Sequence, residues 1–263
     1  MAGRKSAKPP VVMIHGAFCG PWALDGFRRH FEDAGYRVHA PCLRFHDGEP
    51  PPDALATTGL RDFIADLEEE IAALKAPPIL LGYSMGGLLA QMLAARRKVG
   101  GLILLAPSAP WGVPPSTLFE IAAAQAMLLN TGFWNKILEF NRDAALASSF
   151  NLLPREQRDA VFSRLVPESG RATFEIMHWG MDMNRASEVD ADAVQCPLLL
   201  LSGSEDRVNP PTTVARIAAL YRDRATHETL PNMGHWLIGE PGWEKVAARA
   251  VDWAGGLQGR AAG

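Results

Sequence analysis

Cysteine is scarce in this chain of 263 residues, which has only Cys19, Cys42 and Cys196. An odd number without Cys-x-x-Cys spacing excludes a full disulfide framework and suits free thiols in a reducing compartment. Long apolar runs are missing. None approaches eighteen residues, so no membrane-spanning helix is predicted. The basic residues Arg4, Lys5 and Lys8 are followed only by the short run Val11 to Ile14, too brief for a secretory signal, and the expected location is cytoplasmic. An excess of one charge is lacking too: 26 Lys and Arg against 29 Asp and Glu leave a net charge of −3. Besides that tail, the one basic run is Arg96, Arg97, Lys98, which argues against nucleic acid or an anionic membrane as a partner. Gly-x-Gly-x-x-Gly, phosphate-loop, His-x-His and His-Glu-x-x-His patterns are also absent. No cofactor and no metal is therefore expected.

The chain does have 48% hydrophobic and 21% charged residues, an ordinary globular balance, at a length that fits one α/β domain or two smaller ones. Short continuous apolar runs alternate with longer amphipathic stretches, the pattern of strands buried on both faces and covered by helices. Strands are predicted at 11–14, 36–40, 79–82, 102–106 and 198–203, with a weaker one at 226–230. Helices are predicted at 22–34, 60–75, 85–97, 212–221 and 243–253. The result is an α/β fold with a doubly wound, mostly parallel sheet. The alternation breaks once. Residues 113–195 show no convincing strand and read as an inserted unit of about four helices, with Thr117 and Glu120 forming a capping box, Pro154 opening a helix and Pro167 separating two more. The expected division is a core of 1–112 and 196–263 interrupted by a helical cap of 113–195. Such an insertion after a strand falls where α/β sheets have their binding crevice.

Gly82-Tyr83-Ser84-Met85-Gly86 fits Gly-x-Ser-x-Gly. A strand that turns abruptly into a helix forces its central residue into a strained conformation, and the flanking positions must be glycine to avoid collision. The context fits, because the apolar run Ile79-Leu80-Leu81 precedes and the helical Leu88 to Ala94 follows. Ser84 would be held exposed at the N-terminus of that helix, where amide groups and the positive dipole end face the reacting centre.

From His15-Gly16 through this elbow to Gly234-His235, the chain resembles the α/β-hydrolase fold family, and the insertion sits where that family carries its cap. A six-stranded sheet is implied, since only ten residues precede the first strand and leave no room for the family's initial hairpin. The resemblance implies a triad in the order Ser, acid, His. Ser204-Glu205-Asp206-Arg207-Val208 after the 198–203 strand resembles the acid loop, with Asp206 in the acid position and Glu205 as its rival. Asn232-Met233-Gly234-His235-Trp236 looks like the histidine loop, making His235 the base. Of the other histidines, His227 reads as an outward strand residue and His15 as a brace for the loop after the first strand, while His30, His39, His46 and His178 read as surface or packed residues. Attack by Ser84 on an acyl carbon needs two amide donors for the oxyanion. Met85 supplies one, and the resemblance of His15-Gly16-Ala17 to the family's His-Gly-x loop makes Ala17 the other, with Phe18 as alternative.

One loop departs from the family pattern. In Pro41-Cys42-Leu43-Arg44-Phe45-His46, Cys42 replaces an acid and Phe45 a glycine, which should alter the loop's shape near the oxyanion side without touching the triad. Cys19 has no histidine partner visible in the sequence and reads as an inert thiol. Phe18, Tyr83, Trp134, His178, Trp179 and Trp236 are candidate substrate contacts. Most large apolar residues of the insertion are expected to pack its helices onto the sheet. The implied activity is hydrolysis of small, largely apolar esters or lactones by a monomer or homodimer. Relatives of this fold also imply alternatives, namely C–C bond hydrolysis, lyase or cofactor-free perhydrolase chemistry, or ligand reception without catalysis. Ser rather than Asp at the elbow argues against dehalogenase and epoxide-hydrolase chemistry.

Overall fold

A computed structural model describes residues 8–260; Arg4 and Lys5 of the basic tail lie outside them. In chain order the elements are β1 (Val11–Ile14), α1 (Asp25–Asp33), β2 (Val38–His39), α2 (Leu60–Ala72), β3 (Ile79–Tyr83), α3 (Met85–Ala94) and β4 (Gly101–Leu105). There follow α4 (Leu118–Leu128), β5 (Ile137–Leu138), α5 (Arg142–Ala147), α6 (Arg155–Phe162), β6 (Glu168–Ser169) and α7 (Gly170–Met177). The chain then returns through β7 (Leu198–Gly203), α8 (Pro211–Leu220), β8 (Ala225–Leu230) and α9 (Trp243–Arg260).

The main sheet has six strands in the order β2-β1-β3-β4-β7-β8, and every neighbouring pair is parallel. Leu and Ile fill β3, β4 and β7 because both faces are covered. Alternate residues serve the two faces: Val12, Leu80, Leu102 and Leu200 pack with α2, α3 and α8, whereas Met13, Leu81, Ile103 and Leu201 pack with α1 and α9. The strand order reverses between β1 and β3, so the loops leaving these strands flank a switch point where a crevice opens at the carboxyl ends.

Several predicted bounds shift. The β2 strand shrinks to two residues at the sheet edge, pairing only through Val11 with Val38 and Val12 with His39. Residues 22–34 divide into a 3-10 turn at Pro21–Leu24 and α1. Helix α9 runs on through Gly255 and Gly256 to Arg260, past the predicted end at Trp253.

Between β4 and β7 there are four α-helices, and the capping box at Thr117 and Glu120 is present. The prediction of no strand there is corrected by the antiparallel β5–β6 pair, whose partners lie some thirty residues apart. Two-residue strands leave no period to read. The expected packing of large apolar side chains also fails at α4, which buries none of its residues. It lies beside a cavity, turning Phe119 and Ala123 inward and leaving Leu118 85% exposed.

Phe27 is fully buried on the α1/α9 face against Trp243. We expect Phe27→Ala to destabilise the fold by about 3–5 kcal/mol, and Leu118→Ala, at its 85% exposed site, to stay within about 0.5 kcal/mol. Urea unfolding followed by circular dichroism measures both.

Candidate active site

Ser84 stands between β3 and α3 with φ 53° and ψ −118°, a region L-residues seldom enter. The surrounding packing fixes it there. A Cβ on Gly82 would strike the backbone of Gly86 and Gly87, and one on Gly86 would strike the carbonyl oxygens of Ile14 and His15 at the end of β1. The elbow glycines thus make room for each other and also for the neighbouring strand. The Ser84 amide donates to Leu105 O (2.9 Å) and its carbonyl accepts from Ser108 N (3.0 Å), tying the elbow to β4.

Three loops from three strand ends meet at this serine. His235 Nε2 lies 3.0 Å from Ser84 Oγ, and His235 Nδ1 lies 2.9 Å from Asp206 Oδ2. The other oxygen, Asp206 Oδ1, accepts the amides of Val208 (2.8 Å) and Asn209 (2.9 Å), which leaves Oδ2 aimed at the imidazole. Asp206 and His235 are buried. Glu205 is exposed and accepts from Ser204 Oγ, with no hydrogen bond to His235 among the described residues. With Nδ1–H donating to the carboxylate, Nε2 is free to accept the Ser84 proton, the arrangement that makes a hydroxyl nucleophilic.

His15 braces the loop after β1: its Nδ1–H donates to Gly16 O (3.0 Å) and Nε2 accepts from Leu43 N (3.1 Å). Burial, helped by the charge of His46, lowers its pKa to about 4 against the opposing pull of the Gly16 bond and Glu168, so the ring is neutral. The amides of Ala17 and Met85 meet no acceptor among the described residues, and both residues line the cavity. The Phe18 amide, the alternative donor, is already bonded to Glu168 Oε2 (3.2 Å). Cys19 also lines the cavity, and burial and then the Glu168 charge raise its pKa, keeping it a thiol.

The cavity over Ser84 holds about 310 Å³ and is walled mainly by apolar residues, including Phe18, Phe119, Phe140, Phe150, Trp179 and Trp236. Tyr83 contributes too, its ring 5.3 Å from that of His235. Trp134 and His178, both predicted substrate contacts, lie outside the lining. They pack against Phe174, and His178 Nε2–H donates to Ala124 O, so their aromatic surface is used within the insertion. His227 pairs with Ser202 on β7, and His30 packs on Trp243.

A model of the alpha/beta hydrolase family matches residues 11–249. The chain belongs to this family. It is 28% identical over 239 residues to a pimeloyl-[acyl-carrier protein] methyl ester esterase of Chromobacterium violaceum, covering 86% of this chain and 87% of that one. A pyrethroid hydrolase of Sphingobium wenxiniae is 34% identical over 113 residues, a match spanning 41% of this chain and 39% of that protein. Among solved structures, the monoacylglycerol lipase of Paleococcus ferrophilus superposes with a TM-score of 0.69 at 22% identity, covering 95% of this chain and 96% of that one.

Three supporting residues of this α/β hydrolase escaped the sequence reading. Gly203 ends β7 where a Cβ would strike Met233 O and Gly234 O, so only glycine lets the histidine loop pass; a glycine at that strand end was the available signal. Asn209 Nδ2 donates to Ala106 O (2.8 Å), fastening the acid loop to β4. Glu240 Oε1 accepts from Gly234 N (2.5 Å), next to His235. Glu240 Oε2 and Asn151 Oδ1 are buried over Gly234 and neither meets a donor among the described residues. A proton on Glu240 lowers the cost of burying its unpartnered oxygen. Burial, joined by the Asp206 charge, raises its pKa from 4.5 to about 7 despite the Gly234 bond and His235.

The folded protein therefore holds a proton that the unfolded chain releases near pH 4.5, so this contribution to stability is complete below that pH and is lost as pH rises through about 7. We expect Glu240→Gln to reduce the fall in stability between pH 5 and pH 8 by roughly 1–2 kcal/mol, with solvent screening included. Urea midpoints of both proteins at the two pH values test this.

Proposed function

We propose that this α/β hydrolase cleaves carboxylic esters or lactones of small, largely apolar acyl compounds through an acyl-enzyme on Ser84. One observation carries the reading: the relay from Asp206 to His235 to Ser84, at 2.9 and 3.0 Å, opens into an apolar cavity. The naming of its relatives as a methyl ester esterase and a pyrethroid hydrolase supports the reaction class.

Ser84 Oγ attacks the acyl carbon while its proton passes to His235 Nε2, and Asp206 stabilises the imidazolium. The Met85 and Ala17 amides receive the oxyanion, a role favoured for Ala17 because the Phe18 amide is committed to Glu168. Collapse breaks the bond to the alcohol oxygen, which takes the proton from His235; in a lactone that alcohol stays tethered to the acyl chain. Water then yields its proton to His235 and attacks the acyl carbon, releasing the acid and restoring Ser84. Near-neutral composition suits an uncharged substrate. Residues 113–195 act as the cap that walls the cavity, with Phe18, Tyr83, Trp179 and Trp236 contacting substrate in a monomeric or dimeric cytoplasmic enzyme. No helix among the described residues is long and apolar enough to cross a membrane.

On a p-nitrophenyl butyrate assay, we expect Asp206→Asn to lose about 10³–10⁴ in kcat and Glu205→Gln to stay within about twofold. Ser84→Ala should lose both turnover and labelling by a fluorophosphonate. Equal losses at Glu205 and Asp206 would overturn the acid assignment.

A further inference from the structure

His46 and Glu168 form a buried pair with no part in the relay. His46 is 1% exposed and Glu168 is fully buried, with Nε2 and Oε2 3.0 Å apart. His46 belongs to the loop that departs from the family pattern, where Phe45 holds φ 67° in place of glycine. Glu168 comes from β6, between β4 and β7. Both ring nitrogens of His46 face acceptors, since Nδ1 lies 2.9 Å from Arg44 O, and the ring is therefore a cation. Burial alone would lower the His46 pKa, but the Glu168 carboxylate together with the backbone of Arg44 and Leu43 outweighs it and raises the value. Burial likewise works to raise that of Glu168, and the His46 charge together with the Ser169 and Phe18 amides outweighs it and lowers the value.

The pair grips the chain at Phe18, a residue at φ 60°. Glu168 Oε2 accepts the Phe18 amide (3.2 Å), and Val166, two residues earlier on the same segment, donates its amide to Phe18 O (3.0 Å). On the other side of Ala17, the Gly16 carbonyl is held by His15 Nδ1. In a trans peptide the C=O and N–H point opposite ways, so this bond also sets the direction of the Ala17 N–H. Both peptides flanking Ala17 are thereby fixed, one by His15 and the other by Glu168.

We infer that Glu168, neutralised by His46, is a positioning residue that holds the peptide after Ala17 and, with His15 on the peptide before it, keeps the Ala17 amide on the oxyanion, so that the segment between β4 and β7 completes the reaction centre of the core. This role rests on the serine-hydrolase reading above. It predicts that removing Glu168 weakens binding of the transition state and leaves ground-state binding intact, because the cavity wall is unchanged while one donor loses its direction.

The test measures Glu168→Ala and Glu168→Gln in the full chain. Active sites are counted by fluorophosphonate labelling carried to completion, so a misfolded fraction does not enter kcat. In Glu168→Ala, kcat per titrated site on p-nitrophenyl butyrate should fall roughly tenfold or more with KM within about twofold. Affinity for a trifluoromethyl ketone, which forms the tetrahedral adduct, should fall by the same factor. Glu168→Gln keeps an acceptor for Phe18 without the charge for His46 and should show a smaller loss of the same kind; it carries the test if the alanine variant does not fold. Unchanged kcat per site and ketone affinity, or a loss confined to KM or to melting temperature, overturn the positioning role. Failure of the unaltered enzyme to be labelled at Ser84 overturns the serine-hydrolase reading itself, and the positioning role with it.

Discussion

The backbone of Ser84 occupies a conformation that costs of order 1–3 kcal/mol and persists only where its surroundings leave no alternative. Those surroundings are the close approach of β1, β3 and α3, which Gly82 and Gly86 permit by lacking a side chain. All ten residues of α3 are buried, so the helix cannot swing away to release the strain. Its one strongly polar side chain, Gln91, is satisfied by Gly87 O and the Tyr221 hydroxyl. The elbow is thus locked from beneath by the core, and its serine projects where the strand order reverses.

Every other part of the site is fastened to this point by backbone groups at the ends of neighbouring strands. Ser108 holds the Ser84 carbonyl, Asn209 holds Ala106, and Gly203 lets the histidine loop pass over β7. Each bond joins elements adjacent in the sheet, and it is the parallel order β1-β3-β4-β7-β8 that brings residues 15, 84, 206 and 235 together. The β4–β7 segment adds buried charge. Glu168 reaches the loop after β1, and Glu175 accepts the amide of Leu60 at the N-terminus of α2, so the cavity wall on that side is tied to the core. Helix α4 is held where Glu120 and Ser116 bond Thr213 of α8 and where Ala124 O accepts from His178.

Much of this could be read in the residues. Buried parallel strands are continuous apolar runs, so β1, β3, β4 and β7 stood out, as did the elbow, whose glycines are required by contact with backbone. The edge strand β2 and the ribbon β5–β6 did not, because two residues carry no period. Helix α4 misled in another way: its apolar residues mark a wall beside a cavity, whereas composition alone suggested packing on the sheet. Trp134 and His178 pack on Phe174 away from the cavity lining, and aromatic character in a sequence does not say which side faces the cavity. Hardest to foresee were Glu168 and Glu240. A buried carboxylate looks in sequence like a surface one, and its partners, Phe18 and His46 or Gly234, are set by the fold.

Beside the serine, two amides, those of Ala17 and Met85, meet no acceptor among the described residues, while the Phe18 amide is held by Glu168. The most direct measurement is a crystal structure of the enzyme with a small alkyl phosphonate bound covalently to Ser84, a stable mimic of the tetrahedral intermediate. The account predicts a phosphonyl oxygen about 2.7–3.1 Å from both the Ala17 and Met85 nitrogens, with the Phe18 amide still on Glu168. An oxygen bonded to the Phe18 amide, released from Glu168, would contradict it.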